Sequence, residues 1–135
     1  MIHLDSSFLI DLLREHGRER PGPAFDCIES LEPSEVLAVS VHVVSELRAG
    51  AELARRPLAE HEALDQLFGG LLVVYPDERF APAYGRLFAA SSRKSAPMSS
   101  MDLLIATAAA IDDAPLVTRN VKDFARVPGL RLIEY

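Results

Sequence analysis

Five short apolar runs, separated by longer stretches of helical periodicity, constrain the fold of this chain more than any other feature of it. The runs are residues 2–4, 36–39, 71–75, 116–118 and 130–133, rich in Leu and β-branched residues and bounded by Asp, Ser, Pro or Gly. They carry apolar residues on both faces. A half-exposed antiparallel strand would alternate with polar side chains, so this pattern predicts a parallel sheet covered by helices on each side. An α/β sandwich follows, with the intervening helices as crossovers.

The helical stretches fit that plan. Residues 7–15 place Leu9, Leu12 and Leu13 on one face, and residues 23–31 begin with Pro23, which a first helical turn tolerates. Residues 41–55 repeat the pattern through Val43, Val44 and Leu47, and residues 57–68 run until Gly69-Gly70. Each of these forms an αα pair. Residues 77–92 carry Phe80, Tyr84, Leu87 and Phe88 at helical spacing, with Pro82 in conflict with the first turn, and residues 99–111 form the last long helix. No internal repeat or low-complexity linker interrupts residues 1–135, which reads as one domain.

Composition narrows the function classes. With 49% hydrophobic and 25% charged residues in 135, the chain can bury a sizeable core. No apolar run reaches the length of a membrane span, and the opening Met1-Ile2-His3-Leu4-Asp5 has no basic, cleavable leader, so a cytoplasmic protein is expected. Cys27 stands alone in an apolar stretch, which argues for packing and against a disulfide framework or thiol nucleophile. The net charge of -6 excludes a simple polybasic nucleic-acid binder. Between Arg93 and Arg131, however, six basic residues face four acids, a local excess that permits local nucleic-acid contact.

Strand polarity then gathers four acids. In an open parallel sheet, ligands bind beyond the carboxyl ends of the strands where strand order reverses. Asp5 follows the first strand, and Asp123 lies in a turn or short helix after the fourth. Glu46 sits in the second turn of the helix after strand two, and Asp102 in the first turn of the helix that leads to strand four. All four belong at one edge, although 118 positions separate the first from the last. Crowded carboxylates raise one another's pKa unless a cation joins them. Mg²⁺ or Mn²⁺, which prefer oxygen ligands, suit such a set, and two ions would orient a water for in-line attack on a phosphodiester. Ser6, Thr118 and Asn120 are placed to orient carboxylates or water.

Each acid also has a structural reading. Ser99 with Asp102, and Asn120 with Asp123, have the spacing of helix capping boxes, and Asp5 is placed as the N-cap of the first helix. Glu46 lies among Val43, Val44 and Leu47, where a partly buried carboxylate needs a partner such as Arg48 or Arg119. His42 and Glu46 share a helix face, but no zinc motif is present, and His42 reads as a helix-start residue. Phosphate-cradling glycine motifs and a nucleophile elbow are absent from the sequence.

The motifs in their order resemble the PIN-domain ribonucleases, specifically VapC-type toxins of toxin–antitoxin pairs. The resemblance rests on residues 2–7 (IHLDSS), 40–50 (SVHVVSELRAG), 101–109 (MDLLIATAA), 116–124 (LVTRNVKDF) and 127–132 (VPGLRL). It implies a three-layer sandwich with a five-stranded parallel sheet in the order 3-2-1-4-5. It also implies Mg²⁺ or Mn²⁺ held by Asp5 and Asp102 and assisted by Glu46 and Asp123, hydrolysis of RNA, a homodimer, and a small antitoxin that covers the site. Asn120 stands where many such domains carry an acid, which leaves Asp123 as the fourth carboxylate. The competing classes are a catalytically inactive PIN-like module that binds RNA or protein, and a phospho-receiver domain. The complete acid set favours the enzyme over the first. A missing acidic pair after strand one and a missing Lys after the last disfavour the second.

Overall fold

The structure, a computed structural model, describes residues 1–92 and 98–135. Strand β1 (Ile2–Leu4) leads into α1 (Ser6–Glu15) and α2 (Pro23–Ser30), then β2 (Leu37–Ser40), α3 (Val41–Glu52), α4 (Pro57–Phe68) and β3 (Leu72–Val74). Next come α5 (Phe80–Ser92), α6 (Ser100–Ile111), β4 (Leu116–Val117), the short α7 (Val121–Phe124) and β5 (Leu132–Ile133). The strands form one parallel sheet in the order β3-β2-β1-β4-β5. Strand β1 is central: His3 aligns with Ala38 of β2 on one side and Leu116 of β4 on the other. The chain leaves β1 toward β2 and leaves β4 toward β5, so strand order reverses between β1 and β4.

Several boundaries differ from the sequence expectation, each for a local reason. Strand β3 stops before Tyr75, because Pro76 has no N–H to extend the ladder. Helix α5 starts at Phe80 rather than Asp77. The Asp77 carboxylate accepts the Arg79 N–H at 2.9 Å, which makes a turn of those residues and places Pro82 where no helical N–H is needed. Helix α3 ends at Glu52, and its expected last turn is replaced by a tight Ala54 N–H to Ala51 carbonyl bond beside the exposed Leu53. Of the basic stretch, Arg93 and Lys94 lie outside the described residues.

The core lies between the sheet and its helices. Leu4, Phe8, Leu9, Val39, Val43, Ile105, Leu116, Val117 and Phe124 are all buried, and each such side chain contributes about 1.5–3 kcal/mol. Helix α6 is buried along Leu103 and from Ile105 to Ala109, where small Ala side chains allow close approach to its neighbours. Edge strands β3 and β5 are less covered, and Leu72 is exposed. Burial on β1 includes one polar residue: His3, 1% exposed, shares a hydrogen bond of 2.7 Å between Nε2 and Asp112 Oδ2 at the end of α6. That bond offsets the desolvation of the imidazole and ties the helix to the central strand. No helix among the described residues is long and apolar enough to cross a membrane.

Candidate active site

Asp5 is the residue at which β1 becomes α1. It occupies the N-cap position with extended backbone, yet its side chain makes no capping bond. Instead its carboxylate, 2% exposed, accepts hydroxyl hydrogen bonds: Ser7 Oγ to Oδ2 at 2.8 Å, Thr118 Oγ1 to Oδ2 at 2.7 Å, and a longer one from Ser6 Oγ to Oδ1 at 3.4 Å. Three hydroxyl groups thus orient the Asp5 carboxylate, and no cation pairs with it among the described residues.

Three further acids approach from separate elements. Asp102 sits in the first turn of α6, where Ser99 Oγ accepts its N–H at 3.2 Å, so the capping geometry and a place at the site coexist. Burial raises the proton affinity of Asp102 most, the carboxylates of Asp5, Asp123 and Glu46 raise it further, and the Ser99 hydrogen bond opposes them. The field of all three other acids is thus felt at one carboxyl group. Glu46, from α3, is hydrogen-bonded to Ser6 Oγ, which also touches Asp5. Asp123 lies on α7 just beyond β4 and is exposed.

Two sequence expectations are corrected here. Glu46 is exposed rather than partly buried, and neither Arg48 nor Arg119 pairs with it. Arg48 extends to Asp65 of α4 at 2.5 Å and to His61, while Arg119 pairs with Asp11 of α1. Among the described residues no Lys, Arg or His forms an ion pair with any of the four acids. Asn120 occupies the N-cap position of α7 without a side-chain cap bond; it contributes its main chain, donating N–H to Thr118 Oγ1 at 2.9 Å. His42, at the start of α3, packs against Phe80 of α5, and its buried Nε2 has no hydrogen-bond partner among the described residues.

Ser7 is a site residue that sequence reasoning did not single out. Its hydroxyl donates to Asp5 and accepts the Arg119 N–H at 3.2 Å, linking β1 to the loop after β4. The available signal was the Asp5-Ser6-Ser7 tripeptide, in which a hydroxyl two residues on can reach back to an Asp side chain.

The donor set fits a hard divalent cation. It offers carboxylate oxygens and hydroxyls, and among the described residues no side-chain cation pairs with it. Among the described residues no three Asp, Glu, His or Cys side chains stand ready to cage an ion unaided. That suits a cation held by one or two carboxylates with several waters completing its shell.

A parallel sheet with this strand order and carboxylates at its switch point defines the class. The chain belongs to the PIN-domain family, whose model matches residues 2–130. Within that family its relatives are VapC ribonucleases. It is 28% identical over 129 residues to Ribonuclease VapC2 of Rickettsia felis, covering 96% of this chain and 93% of that one. It is 30% identical over 128 residues to Ribonuclease VapC19 of Mycobacterium tuberculosis, covering 95% of both. Among solved structures, VapBC2 from Rickettsia felis, bound to a DNA fragment from its promoter, superposes with a TM-score of 0.89 at 27% identity, covering 100% of this chain and 99% of that one. PIN-domain ribonucleases generally depend on divalent metal ions.

Proposed function

We propose that this protein is the toxin of a toxin–antitoxin pair, a cytoplasmic single-domain endoribonuclease that hydrolyses RNA phosphodiester bonds with Mg²⁺ or Mn²⁺ at Asp5, Glu46, Asp102 and Asp123. The observation that supports the reading best is the Asp102 carboxyl group, whose proton affinity Asp5, Asp123 and Glu46 raise from other parts of the fold, while no ion pair reaches any of the four acids among the described residues. VapC relatives along almost the whole chain support it.

In this reading Asp5 and Asp102 hold the ion, and Glu46 and Asp123 complete the site from its exposed rim. When bound, Mg²⁺ or Mn²⁺ supplies Lewis acidity, polarising the phosphodiester and the attacking water. Ser7 and Thr118 fix the Asp5 carboxylate through its Oδ2, which sets the direction of its second oxygen. Ser6 bridges Asp5 and Glu46, so the two acids move together. Fixing the ligands in advance lowers the reorganisation needed during the reaction. The RNA is single-stranded or looped at the cut, because only unstacked nucleotides can enter so small a site.

The inhibiting partner is an antitoxin of the VapB kind. Two apolar grooves open between the helices, and the second reaches the site at Glu46. One, of about 360 Å³, is lined by Leu12, Leu13, Phe25, Ile28 and Leu67, and the other, of about 440 Å³, by Ile10, Leu13, Leu47 and Leu64 with Glu46 at its margin. A partner segment lying in the second groove would reach the acids, where an Arg can replace the cation by bidentate pairing. A homodimer fits the aromatic row Phe80, Tyr84 and Phe88 along α5, of which Phe88 is 53% exposed. Induced expression with sequencing of new RNA 5′ ends tests the function. The parent should create discrete ends and arrest growth, and Asp5→Ala should do neither. Equal cleavage by the two proteins removes the assignment.

A further inference from the structure

An anionic protein with four clustered carboxylates repels the phosphate chain it is to cut, so cations beside the site must hold the flanking phosphates. Arg119 is connected to the site through its main chain: its N–H donates to Ser7 Oγ at 3.2 Å, and that hydroxyl donates to Asp5. Its guanidinium turns away from the four acids to Asp11 of α1, with Nη1 at 2.8 and 2.9 Å from the two carboxylate oxygens, and stays half exposed. Tyr135 donates its hydroxyl to the same carboxylate at 2.7 Å, with its ring edge-on to the buried Phe8. A groove of about 360 Å³ opens at this point, lined by Asp11, Arg14, Arg18, Arg119 and Tyr135 among others.

The acids of this groove are already engaged. Glu15 accepts the N–H groups of Ala24 and Phe25 at 3.0 and 2.8 Å, at the start of α2. Asp11 serves Arg119 and Tyr135. Arg14 is 65% exposed and 3.9 Å from Asp11, and Arg18 pairs with no carboxylate among the described residues. The groove therefore presents the guanidinium groups of Arg14 and Arg18 beside Arg119, whose main chain lies two hydrogen bonds from Asp5.

We infer that this groove is the subsite that seats the RNA backbone next to the scissile phosphodiester. Arg14 and Arg18 hold the flanking phosphates, and Arg119 turns from Asp11 to the nearest one. The guanidinium fork matches a phosphate as well as it matches a carboxylate. When Arg119 turns to the phosphate, Asp11 keeps the Tyr135 hydroxyl as a hydrogen-bond donor. These are positioning residues, and the inference rests on the ribonuclease reading above.

The test uses the full chain and two substrates. Binding of a fluorescein-labelled, random-sequence RNA oligonucleotide to Asp5→Asn protein, which cannot cut, is measured against salt concentration. Replacing both Arg14 and Arg18 by Gln should flatten the slope of log K against log salt by about 1.4, two single-strand contacts at about 0.7 each. Replacement by Lys should restore it. In otherwise unaltered protein the same Gln pair should raise KM severalfold for the long RNA at constant kcat, and leave cleavage of a dinucleotide, too short to reach the groove, unchanged. An unaltered salt slope overturns the subsite, as does equal loss on both substrates. A parent that cuts no RNA with either ion refutes the ribonuclease reading instead, and the salt slope still decides the groove.

Discussion

Thr118 Oγ1 donates a 2.7 Å hydrogen bond to Asp5 Oδ2 across 113 positions of sequence, joining the ends of the adjacent strands β1 and β4 at the point where strand order reverses. Both groups are buried, and the same hydroxyl accepts the Asn120 N–H. One side chain thus orients the central carboxylate and shapes the loop that carries Arg119 and Asp123.

Thr118→Val keeps the shape and removes that bond. Substitutions that disturb the orientation of a metal ligand cost about 10–100-fold in metal affinity or activity, and a loss in that range is expected here. Stability should fall by about 1–2 kcal/mol, since the Asn120 N–H and the Asp5 oxygen each lose a partner. Metal titration of cleavage, alongside chemical denaturation, measures both. Unchanged metal dependence would mean that Asp5 is held well enough by Ser7 alone.

The two residues competing for the fourth acid position give opposite outcomes. Asp123→Asn should slow cleavage strongly and weaken ion binding. Asn120→Ala should leave stability near that of the parent, because its side chain makes no cap bond whose loss would cost about 1 kcal/mol. Asn120→Asp should recover part of the metal affinity in the Asp123→Asn background. Full activity of Asp123→Asn with normal metal titration would reduce the site to Asp5, Glu46 and Asp102.

Asp102 makes stability depend on pH in a stated direction. Burial and the neighbouring acids raise its proton affinity above that of the unfolded chain, where an Asp titrates near ~3.9. Between the two values the folded protein binds more protons than the unfolded one, so this group's contribution to stability falls as pH rises through that window. Asp102→Asn should therefore stabilise the metal-free protein at neutral pH by up to about 1 kcal/mol, a figure held down by solvent screening of an incompletely buried carboxylate. It should also abolish cleavage. Denaturation midpoints across the acidic range provide the check, and a variant less stable than the parent at neutral pH contradicts the crowding of charge.

The His3–Asp112 pair should matter to stability and leave the chemistry alone. Asp112→Ala strands a buried imidazole nitrogen, at a cost of about 1–3 kcal/mol. RNA cleavage per folded molecule should stay at the parent value. A melting scan paired with an activity assay below the transition separates the two effects.

Most of the architecture is legible because burial on both faces leaves β1, β2 and β4 dominated by apolar residues, with His3 as the buried polar exception, and strand polarity then brings Asp5 and Asp123 to one edge. What remained hidden depended on side-chain reach. Ser7, which grips Asp5, carries only the faint signal of the Asp5-Ser6-Ser7 tripeptide, and the exposure of Glu46 depends on helix packing that apolar spacing does not fix. The partners of Arg48 and Arg119 are hidden for the same reason: Asp65 and Asp11 lie on helices that sequence spacing does not align. Helix starts were misplaced where a local Asp turn, as at Asp77, competes with helical hydrogen bonds.

If the carboxylates at the switch point cut RNA through a divalent ion, cleavage must need both the ion and its ligands. Single-turnover cleavage of RNA by purified protein, titrated with Mg²⁺ and Mn²⁺ for the parent, Asp5→Asn and Asp102→Asn, measures this. Saturable, chelator-sensitive cleavage by the parent, and none by either variant at any ion concentration while both remain folded, is the predicted result. Cleavage that persists in chelator, or in either variant at the parent rate, would contradict it.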